Sequence, residues 1–381
     1  MFKLLTGGHC FIPEDAGIQD ILISFDKICL VGDRIIPESR WDLEVIDCSG
    51  CLVCPGIIDQ HVHITGGGGE QGPASRIPEL SFSEVVEAGV TTLVGVLGFD
   101  SITRSIAGLL AKARGLESEG ITTFIYTGSY GSPTETLTGR VLSDIVLLDK
   151  VIGAGEIAIS DYRSYHPTLQ DLRNLSSEVM AGGMLGDKAG VLHLHVGDGK
   201  EGLTPLLELI EQSDFPPEMF VPTHINRNPR VFDQGLGWLS RGGNIDMTAG
   251  ETVGYSVPES FARLIKQSSN LERVTVSSDG NGSAPPSAAN QSGLIRIGQL
   301  LNDLRSSVLD SGLAFGTLIK TVTVNPARLL KLYPRKGCIK TGSDADLLVL
   351  RSEDLTIHTL LAKGEVAVKE KKAVKHGHYD Q

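Results

Sequence analysis

Apolar and polar positions along the middle of the chain follow two alternating patterns. Short apolar runs predict buried β-strands, and longer segments with apolar residues every three or four positions predict helices, as at 102–119, 203–212 and 258–267. Eight such units in succession predict an α/β fold, a (β/α)8 TIM-like barrel, in which functional residues gather at the carboxyl ends of the strands. The strands are expected to begin near Val53, Thr91, Thr122, Glu156, Val191, Phe220, Asn244 and Val274.

Both ends of the chain show a different pattern, in which glycine and acidic residues interrupt short apolar strands. We expect residues 1–54 and 335–381 to pair into a small β-sandwich domain, which leaves residues 55–334 to the barrel. A doubly wound open sheet is the alternative for the middle segment, but the glycine run at 66–69 lacks the Gly-x-Gly-x-x-Gly spacing of such folds. The amino-terminal strands are predicted at 2–5, 18–25, 27–31 and 43–47.

The charge balance argues against two classes of partner. Lys and Arg total 34 against 46 Asp and Glu, a net charge of -12, so there is no electrostatic case for binding nucleic acid or an anionic membrane. No stretch reaches the roughly 18 uninterrupted apolar residues that a membrane span needs, and the first residues lack a secretion-signal pattern. We therefore expect a cytoplasmic protein in which local arginines would hold any anionic substrate.

Three of the six cysteines, Cys48, Cys51 and Cys54, form a Cys-x-x-Cys-x-x-Cys run. Such a run could indicate zinc or an iron–sulfur cluster. However, no fourth ligand lies nearby at a supporting spacing, and the run leads directly into an apolar strand where small thiols pack well. We interpret these cysteines as structural.

Potential metal ligands recur where the predicted strands end. His61 and His63 lie on one face of the first strand because strand side chains alternate, and two imidazoles aimed the same way suit zinc. Four histidines and an aspartate at one barrel mouth are typical of a metal-dependent hydrolase. The later members of this set are His195 on the fifth strand, His224 after the sixth and Asp279 after the eighth.

Six segments make the chain resemble the amidohydrolase superfamily, and within it the isoaspartyl dipeptidases, over nearly its whole length. The first and last are typical of the superfamily, whereas the second, fourth and fifth are specific to the subgroup. The segments are Pro-Gly-Ile-Ile-Asp-Gln-His-Val-His at 55–63, Gly-Gly-Gly-Gly-Glu at 66–70, Ile-Ser-Asp-Tyr-Arg-Ser at 159–164, Pro-Thr-His-Ile-Asn-Arg-Asn at 222–228, Ser-Ser-Asp-Gly-Asn-Gly-Ser at 277–283 and Gly-Ser-Asp-Ala-Asp-Leu-Leu-Val at 342–349.

The resemblance implies two divalent metal ions, usually Zn2+, which share a hydroxide that attacks the amide carbon. Asp279 would take the proton from this hydroxide and deliver it to the leaving amine, and Tyr130 would polarise the scissile carbonyl. His193 shares a face with His195 but lies deeper in the strand, and we interpret it as a core residue. By resemblance His61, His63 and Asp279 would hold one ion, and His195 and His224 the other.

One departure from the family concerns the group that bridges the metals. The family normally uses a carboxylated lysine at the start of the fourth strand, where this chain has Glu156. A glutamate reaches less far than a lysine carbamate, so either Glu156 lies closer to the metals or the backbone shifts. The preceding segment, 152–156, contains an extra residue that could supply the shift. We expect Glu156 to bridge two metals, and the alternative is a weakened site with one metal.

The expected substrate is a small isoaspartyl dipeptide, which carries one ammonium and two carboxylates. Glu70 suits the ammonium, and Arg163 and Arg227 suit the carboxylates because guanidinium groups bind carboxylates bidentately. Ser283 would add a hydrogen bond. Phe99 stands where the family tends to carry a small polar residue, so the preference for the leaving residue stays open.

Two other functions remain open from the sequence. A cyclic-amide hydrolase of the dihydroorotase or hydantoinase kind would use the same metals, although its ring substrate lacks the ammonium that Glu70 suits. A non-catalytic amidohydrolase-like scaffold would keep the barrel without its metals, whereas this chain retains the ligand set. In any of these cases a homo-oligomer is expected, as in many soluble enzymes and in this family.

Overall fold

The computed structural model describes residues 2–267, 269–284 and 293–380. They form a mixed α/β fold in which a curled parallel sheet occupies the middle of the chain and a second sheet joins its two ends. Within these ranges no helix combines the length and the apolar character that crossing a membrane would require. The amino-terminal strands are β1 (Phe2–Phe11), β2 (Asp15–Ser24), β3 (Lys27–Gly32), β4 (Leu43–Asp47) and β5 (Cys51–Pro55).

The parallel strands of the middle segment form two groups. Six of them, β6 to β11, pair in chain order, and β12 pairs with β13. Both edges of the larger group contact the smaller one: Val62 of β6 bridges Gly280 after β13, and Asn226 after β11 hydrogen-bonds the main chain of Thr248 in β12. The strands are β6 (Ile57–Val62), β7 (Val90–Gly95), β8 (Thr122–Thr127), β9 (Val151–Ile159), β10 (Val191–Val196), β11 (Phe220–Thr223), β12 (Ile245–Thr248) and β13 (Val274–Ser277).

Helices alternate with these strands and begin at local sequence signals. Capping boxes, in which a hydroxyl and an acidic side chain satisfy each other's backbone amides, start α1, α4 and α7. The helix predicted at 102–119 begins four residues later because Ser105 caps it. The helices are α1 (Phe82–Glu87), α2 (Ile106–Glu119), α3 (Val141–Leu147), α4 (Leu169–Leu185), α5 (Thr204–Glu211), α6 (Pro229–Ser240), α7 (Val257–Lys266), α8 (Gln299–Leu309), α9 (Phe315–Leu318) and α10 (Val324–Leu329).

The strand predicted at 53–63 is two strands that belong to different sheets. Strand β5 pairs with β1 and with the carboxyl-terminal strand β14 (Leu347–Arg351), whereas β6 pairs with β7. Gly56 separates them, and a Cβ there would lie 2.3 Å from the Thr91 hydroxyl. Both strands are buried on both faces, so a change of sheet leaves no trace in the apolar pattern.

The terminal strands form one nine-stranded, hydrogen-bonded sheet. Cys10, Cys48 and Cys51 are free, buried thiols in its core, and burial raises the pKa of Cys48 to about 12. Among the described residues, the groups that could hold a metal include no cysteine. After β14 the carboxyl-terminal strands are β15 (Ile357–Ala362), β16 (Glu365–Lys369) and β17 (Lys372–Ala373).

A buried lysine fixes the chain between α10 and β14. Lys336 is 3% exposed, and its ammonium lies 3.0 Å from Asp344 Oδ2 and also contacts Asp346. Lys27 of β3 pairs with Asp344 from the other side. Burial raises the pKa of Asp344, but these two lysines outweigh it and hold that pKa below its usual value.

Replacing Lys336 by methionine should lower the free energy of unfolding by about 3–5 kcal/mol near neutral pH, because acidic groups then stay buried without their cation. Asp344 stabilises the fold above its unfolded pKa of about 4, and this contribution is lost as the pH falls through the lower folded pKa. The deficit of the variant should therefore shrink in acid. Urea unfolding at several pH values measures it, with the exposed Lys340→Met as the control; equal losses in both variants would contradict the prediction.

Candidate metal centre

The six side chains predicted as metal ligands meet at the carboxyl ends of the parallel strands. Strand β6 carries His61 next to its last residue and is followed by His63, and β9 carries Glu156. Each of the six is at most 6% exposed. The remaining members are His195 in β10, His224 directly after β11 and Asp279 two residues after β13.

Asp279 faces the two histidines of the first strand. Its Oδ1 lies 3.1 Å from His63 Nε2 and 3.4 Å from His61 Nε2. Its Oδ2 accepts a hydrogen bond of 2.5 Å from Arg227 Nη2, and Arg227 Nε in turn contacts Glu251 Oε2 at 3.2 Å. One carboxylate oxygen is thereby held by an arginine, and the other is directed at the histidines.

Glu156 lies between all four histidines. Its Oε1 is 3.5 Å from His63 Nε2. Its Oε2 is 3.1 Å from His195 Nδ1 and 3.6 Å from both His61 Nε2 and His224 Nε2. The two oxygens of one carboxylate therefore face different histidines, which is the arrangement that a bridging ligand requires.

A β-bulge brings Glu156 to this position. In the pairing of β9 with β10, two residues of β9, Gly155 and Glu156, lie opposite the single residue His193. A Cβ at Gly155 would lie 2.7 Å from the Cβ of His193, so glycine is required there. This bulge lies within the segment 152–156, where the sequence leads us to expect an extra residue.

The site passes a simple test for metal ligation. His61 Nε2 and Glu156 Oε1, which face the other candidate ligands, are buried and have no hydrogen-bond partner within the described ranges, which is costly unless a cation satisfies them. Imidazole nitrogens and carboxylate oxygens are donors that zinc accepts. Two sets of donor atoms lie within 4.8 Å of one another: His61, His63 and Asp279, and His61, Glu156 and His224.

The charges in the cluster are strongly coupled. Burial raises the pKa of Glu156, but the surrounding histidines outweigh it and hold that pKa well below its usual value. Burial lowers the pKa of His61, but Glu156 and Asp279 outweigh it and raise that pKa well above its usual value. The two carboxylates therefore draw positive charge into the pocket.

Tyr130 and Arg163 lie beside His195. The Tyr130 hydroxyl is 2.8 Å from His195 Nδ1, and burial raises the pKa of this phenol. The Arg163 guanidinium lies 5.3 Å from the centre of the Tyr130 ring. Phe99 packs edge-on against the same ring, with centroids 5.9 Å apart, and is 39% exposed at the mouth.

The residues predicted for the substrate also meet at this mouth. Glu70 Oε1 lies 3.3 Å from Arg163 Nη1 and accepts a 2.7 Å hydrogen bond from the Ser283 hydroxyl. The loop that carries Glu70 is held by the buried Arg104, which donates hydrogen bonds to the carbonyls of Thr65, Gly67 and Ile77.

Several contacts of the site were not predicted. Asp161 pairs with Arg163 and His195, and Glu251 pairs with Arg227. His193 is buried as expected, but it is more than a core residue because its Nε2 lies 2.8 Å from His61 Nδ1. The available signals were the spacing Asp-x-Arg at 161–163 and the His-x-His pair in β10.

The missing side chain of Gly98 leaves space for the imidazole ring of His63. Its φ is +81°, and a Cβ would lie 2.7 Å from His63 Cε1. Gly98→Ala should therefore displace His63 and weaken zinc binding on the order of 10-fold, besides costing more than about 1 kcal/mol of stability for the unsuitable backbone. Gly139→Ala is the matched control, since its φ is +92° and nothing lies within 4 Å. Zinc titration and urea unfolding separate the two effects; equal zinc affinities would refute the steric argument.

Comparison with known proteins agrees with this geometry. The family model for amidohydrolases matches residues 255–377. An imidazolonepropionase from Colwellia psychrerythraea is 30% identical over 155 residues, 38% of this chain and 35% of that protein, so the chain spans about a third of the length of such curated relatives. A dihydropyrimidinase from Brevibacillus agri shares the fold alone, at 16% identity and a TM-score of 0.69, with coverage of 99% and 97%. The fold and the site together define a metal-dependent hydrolase of the amidohydrolase class.

A more similar structure narrows the class. The crystal structure of a beta-aspartyl dipeptidase from Fervidobacterium islandicum AW-1 is 41% identical, with a TM-score of 0.91 and 98% of both chains covered. The same enzyme in complex with the beta-Asp-Leu dipeptide is similar to the same degree, at 42% identity and a TM-score of 0.91. The chain belongs to the beta-aspartyl dipeptidase family of the amidohydrolase superfamily.

Proposed function

We propose that this chain hydrolyses the isopeptide bond of beta-aspartyl dipeptides. One observation carries the proposal. Glu156, with the histidines around it, and the Glu70–Arg163 ion pair lie at the same mouth. The likeness to an enzyme that binds beta-Asp-Leu supports it. A cytoplasmic homo-oligomer is part of the proposal.

For the fold, we propose that the eight parallel strands close into a (β/α)8 barrel of residues 55–334. The contacts at both edges of the β6–β11 group support closure. Residues 1–54 and 335–381 would form the β-sandwich domain by folding their one hydrogen-bonded sheet over on itself, so that two layers pack face to face.

Two divalent ions, zinc by the chemistry of the donors, would be held by His61, His63, Glu156, His195, His224 and Asp279. When bound, these ions polarise the amide carbonyl and lower the pKa of water so that a nucleophilic hydroxide is available near neutral pH. Glu156 would serve both ions because its two oxygens face different histidines.

The charges at the mouth match a zwitterionic dipeptide. Glu70 and Arg163 face each other at 3.3 Å in the free chain. The substrate ammonium would pair with Glu70 and one substrate carboxylate with Arg163, so that the ligand replaces this contact without leaving either charge unpaired. Arg227 would bind the second carboxylate with donors that Asp279 and Glu251 leave free, and Ser283 would donate a hydrogen bond.

The remaining steps fall to two residues of the chain. Asp279 would accept the proton of the attacking water as its oxygen bonds to the carbonyl carbon, and would then pass that proton to the departing amine nitrogen. The Tyr130 hydroxyl would donate a hydrogen bond to the carbonyl oxygen as negative charge develops there. Arg227 holds Asp279 in place for both proton transfers.

The test is hydrolysis of beta-aspartyl-leucine beside alpha-aspartyl-leucine and dihydroorotate, by zinc-reconstituted protein with its metal content measured. Cleavage of the beta-linked peptide alone supports the proposal. Cleavage of dihydroorotate alone would replace it by a cyclic-amide hydrolase. A protein that binds no metal and cleaves none of the three would instead be a non-catalytic scaffold.

A further inference from the structure

Asp161, two residues after β9, is a buried carboxylate that contacts both His195 and Arg163. It is 5% exposed. Its Oδ1 accepts hydrogen bonds from the main-chain amide of Arg163 at 2.7 Å and from Arg163 Nε at 3.1 Å. Its Oδ2 accepts one from Arg163 Nη2 at 2.9 Å and lies 3.0 Å from His195 Nε2. Each oxygen of this carboxylate therefore has two partners.

The surrounding loop restricts the position of Asp161. The segment after β10 packs against it so closely that a Cβ on Gly197 would lie 2.5 Å from the Asp161 Cβ. Gly199 and Gly202 donate their main-chain amides to the carbonyl and the hydroxyl of Ser160, the preceding residue. The carboxylate is thus part of a rigid junction between the ends of β9 and β10.

The contact with Asp161 determines which nitrogen of His195 faces the pocket. A carboxylate only accepts hydrogen bonds, so the nitrogen 3.0 Å from it, Nε2, must carry a proton. Nδ1 is then the nitrogen whose lone pair is available, and it faces Glu156 Oε2 at 3.1 Å. In the neutral ring this lone pair can accept a hydrogen bond from the Tyr130 hydroxyl 2.8 Å away, and a bound cation would take the place of that donor. Histidines that bind metals typically hold their other N–H against such a carboxylate.

We infer that Asp161 is a positioning residue that sets both His195 as a metal ligand and Arg163 as a substrate-binding cation. The inference rests on the proposed function, and it adds a residue outside the predicted ligand and substrate sets. Asp161 aims Nδ1 of His195 at Glu156, and it holds the guanidinium of Arg163 with Nη1 towards Glu70. The carboxylate of Asp161 thereby positions one residue of the metal site and one residue of the substrate site.

The experiment uses the full chain, stripped of metal and titrated with Zn2+ alone, in a double-mutant cycle. The variants are Asp161→Asn, Arg163→Gln and the pair combined. The matched control is Asp198→Asn, which neutralises an exposed carboxylate three residues after His195. Thermal unfolding of the metal-free proteins verifies folding, and Asp161→Ser is the second variant should the asparagine chain not fold.

Asp161→Asn should weaken the binding of one of two zinc ions by about 10- to 100-fold, the usual cost of losing such a partner, with the same loss in the Arg163→Gln background. Asp198→Asn should bind zinc as the wild type does. In the beta-aspartyl-leucine assay Asp161→Asn should also raise KM, because Arg163 loses its anchor.

Wild-type zinc affinity in Asp161→Asn, or a loss that disappears once Arg163 is replaced, would overturn the role towards His195. Since zinc titration needs no substrate, these outcomes do not depend on which peptide is cleaved. A wild-type chain that binds fewer than two zinc ions would overturn the proposed centre and this inference with it. Two bound ions without cleavage of the beta-linked peptide would instead overturn the proposed substrate alone.

Discussion

Glu156→Gln is expected to abolish the proposed two-metal centre while leaving the fold intact. Glutamine has the same shape, but it removes the negative charge that lies within 3.6 Å of all four histidines. Hydrolysis of beta-aspartyl-leucine should fall by more than the roughly 100-fold that is typical of losing an outer partner of a metal ligand. Zinc content measured on the same samples should drop from two ions to one or none.

A neutralised glutamate outside the candidate ligand set provides the control for this variant. Glu135 is exposed in the loop between β8 and α3, and Glu135→Gln should keep both zinc ions and full activity. If Glu156→Gln also kept both ions and full activity, the bridging assignment would be wrong. The centre would then be held by the histidines and Asp279 alone.

Asp279→Asn is the second change with a large expected effect. Asparagine can still accept the hydrogen bond of Arg227, but it cannot take up a proton near neutral pH. Since general acid–base catalysis contributes about 10²- to 10⁴-fold, kcat for beta-aspartyl-leucine should fall within that range. The measurement is kcat at saturating substrate, normalised to the zinc content of each sample.

Glu251→Gln tests whether the loss of kcat in Asp279→Asn comes from the lost proton transfer. Glu251 contacts Arg227 but none of the histidines among the described residues, so its neutralisation should act mainly on KM. A kcat for Asp279→Asn within a few-fold of the wild type, with both zinc ions bound, would exclude Asp279 as the proton carrier.

The elements and the ligand candidates were accessible from sequence because they depend on local periodicity. Buried parallel strands read as continuous apolar runs, and the alternation of side chains put His61 and His63 on one face. The bounds of the strands were harder to predict from the sequence, because the break at Gly56 depends on contacts with Thr91, which is remote in sequence.

The partners of the candidate ligands were harder to predict than the candidate ligands themselves. Asp161 is one of 46 acidic residues, and only its approach to His195, 34 positions away, gives it a role. His193 likewise has an ordinary core pattern, and its contact with His61 spans 132 positions. Such pairings are set by the register of strands across the fold, which the sequence does not encode locally.

The glutamate in the bulge of β9 also has a consequence for how the proposed centre would assemble. A lysine carbamate forms by reversible addition of CO2 to an uncharged amine, so a chain that uses one must capture this gas before it can load its metals. Glu156 carries its carboxylate permanently, in a bulge that brings the shorter side chain to the four histidines. We therefore expect zinc uptake by this chain to proceed equally fast in degassed and in bicarbonate-rich buffer, which frees its maturation from the supply of dissolved CO2.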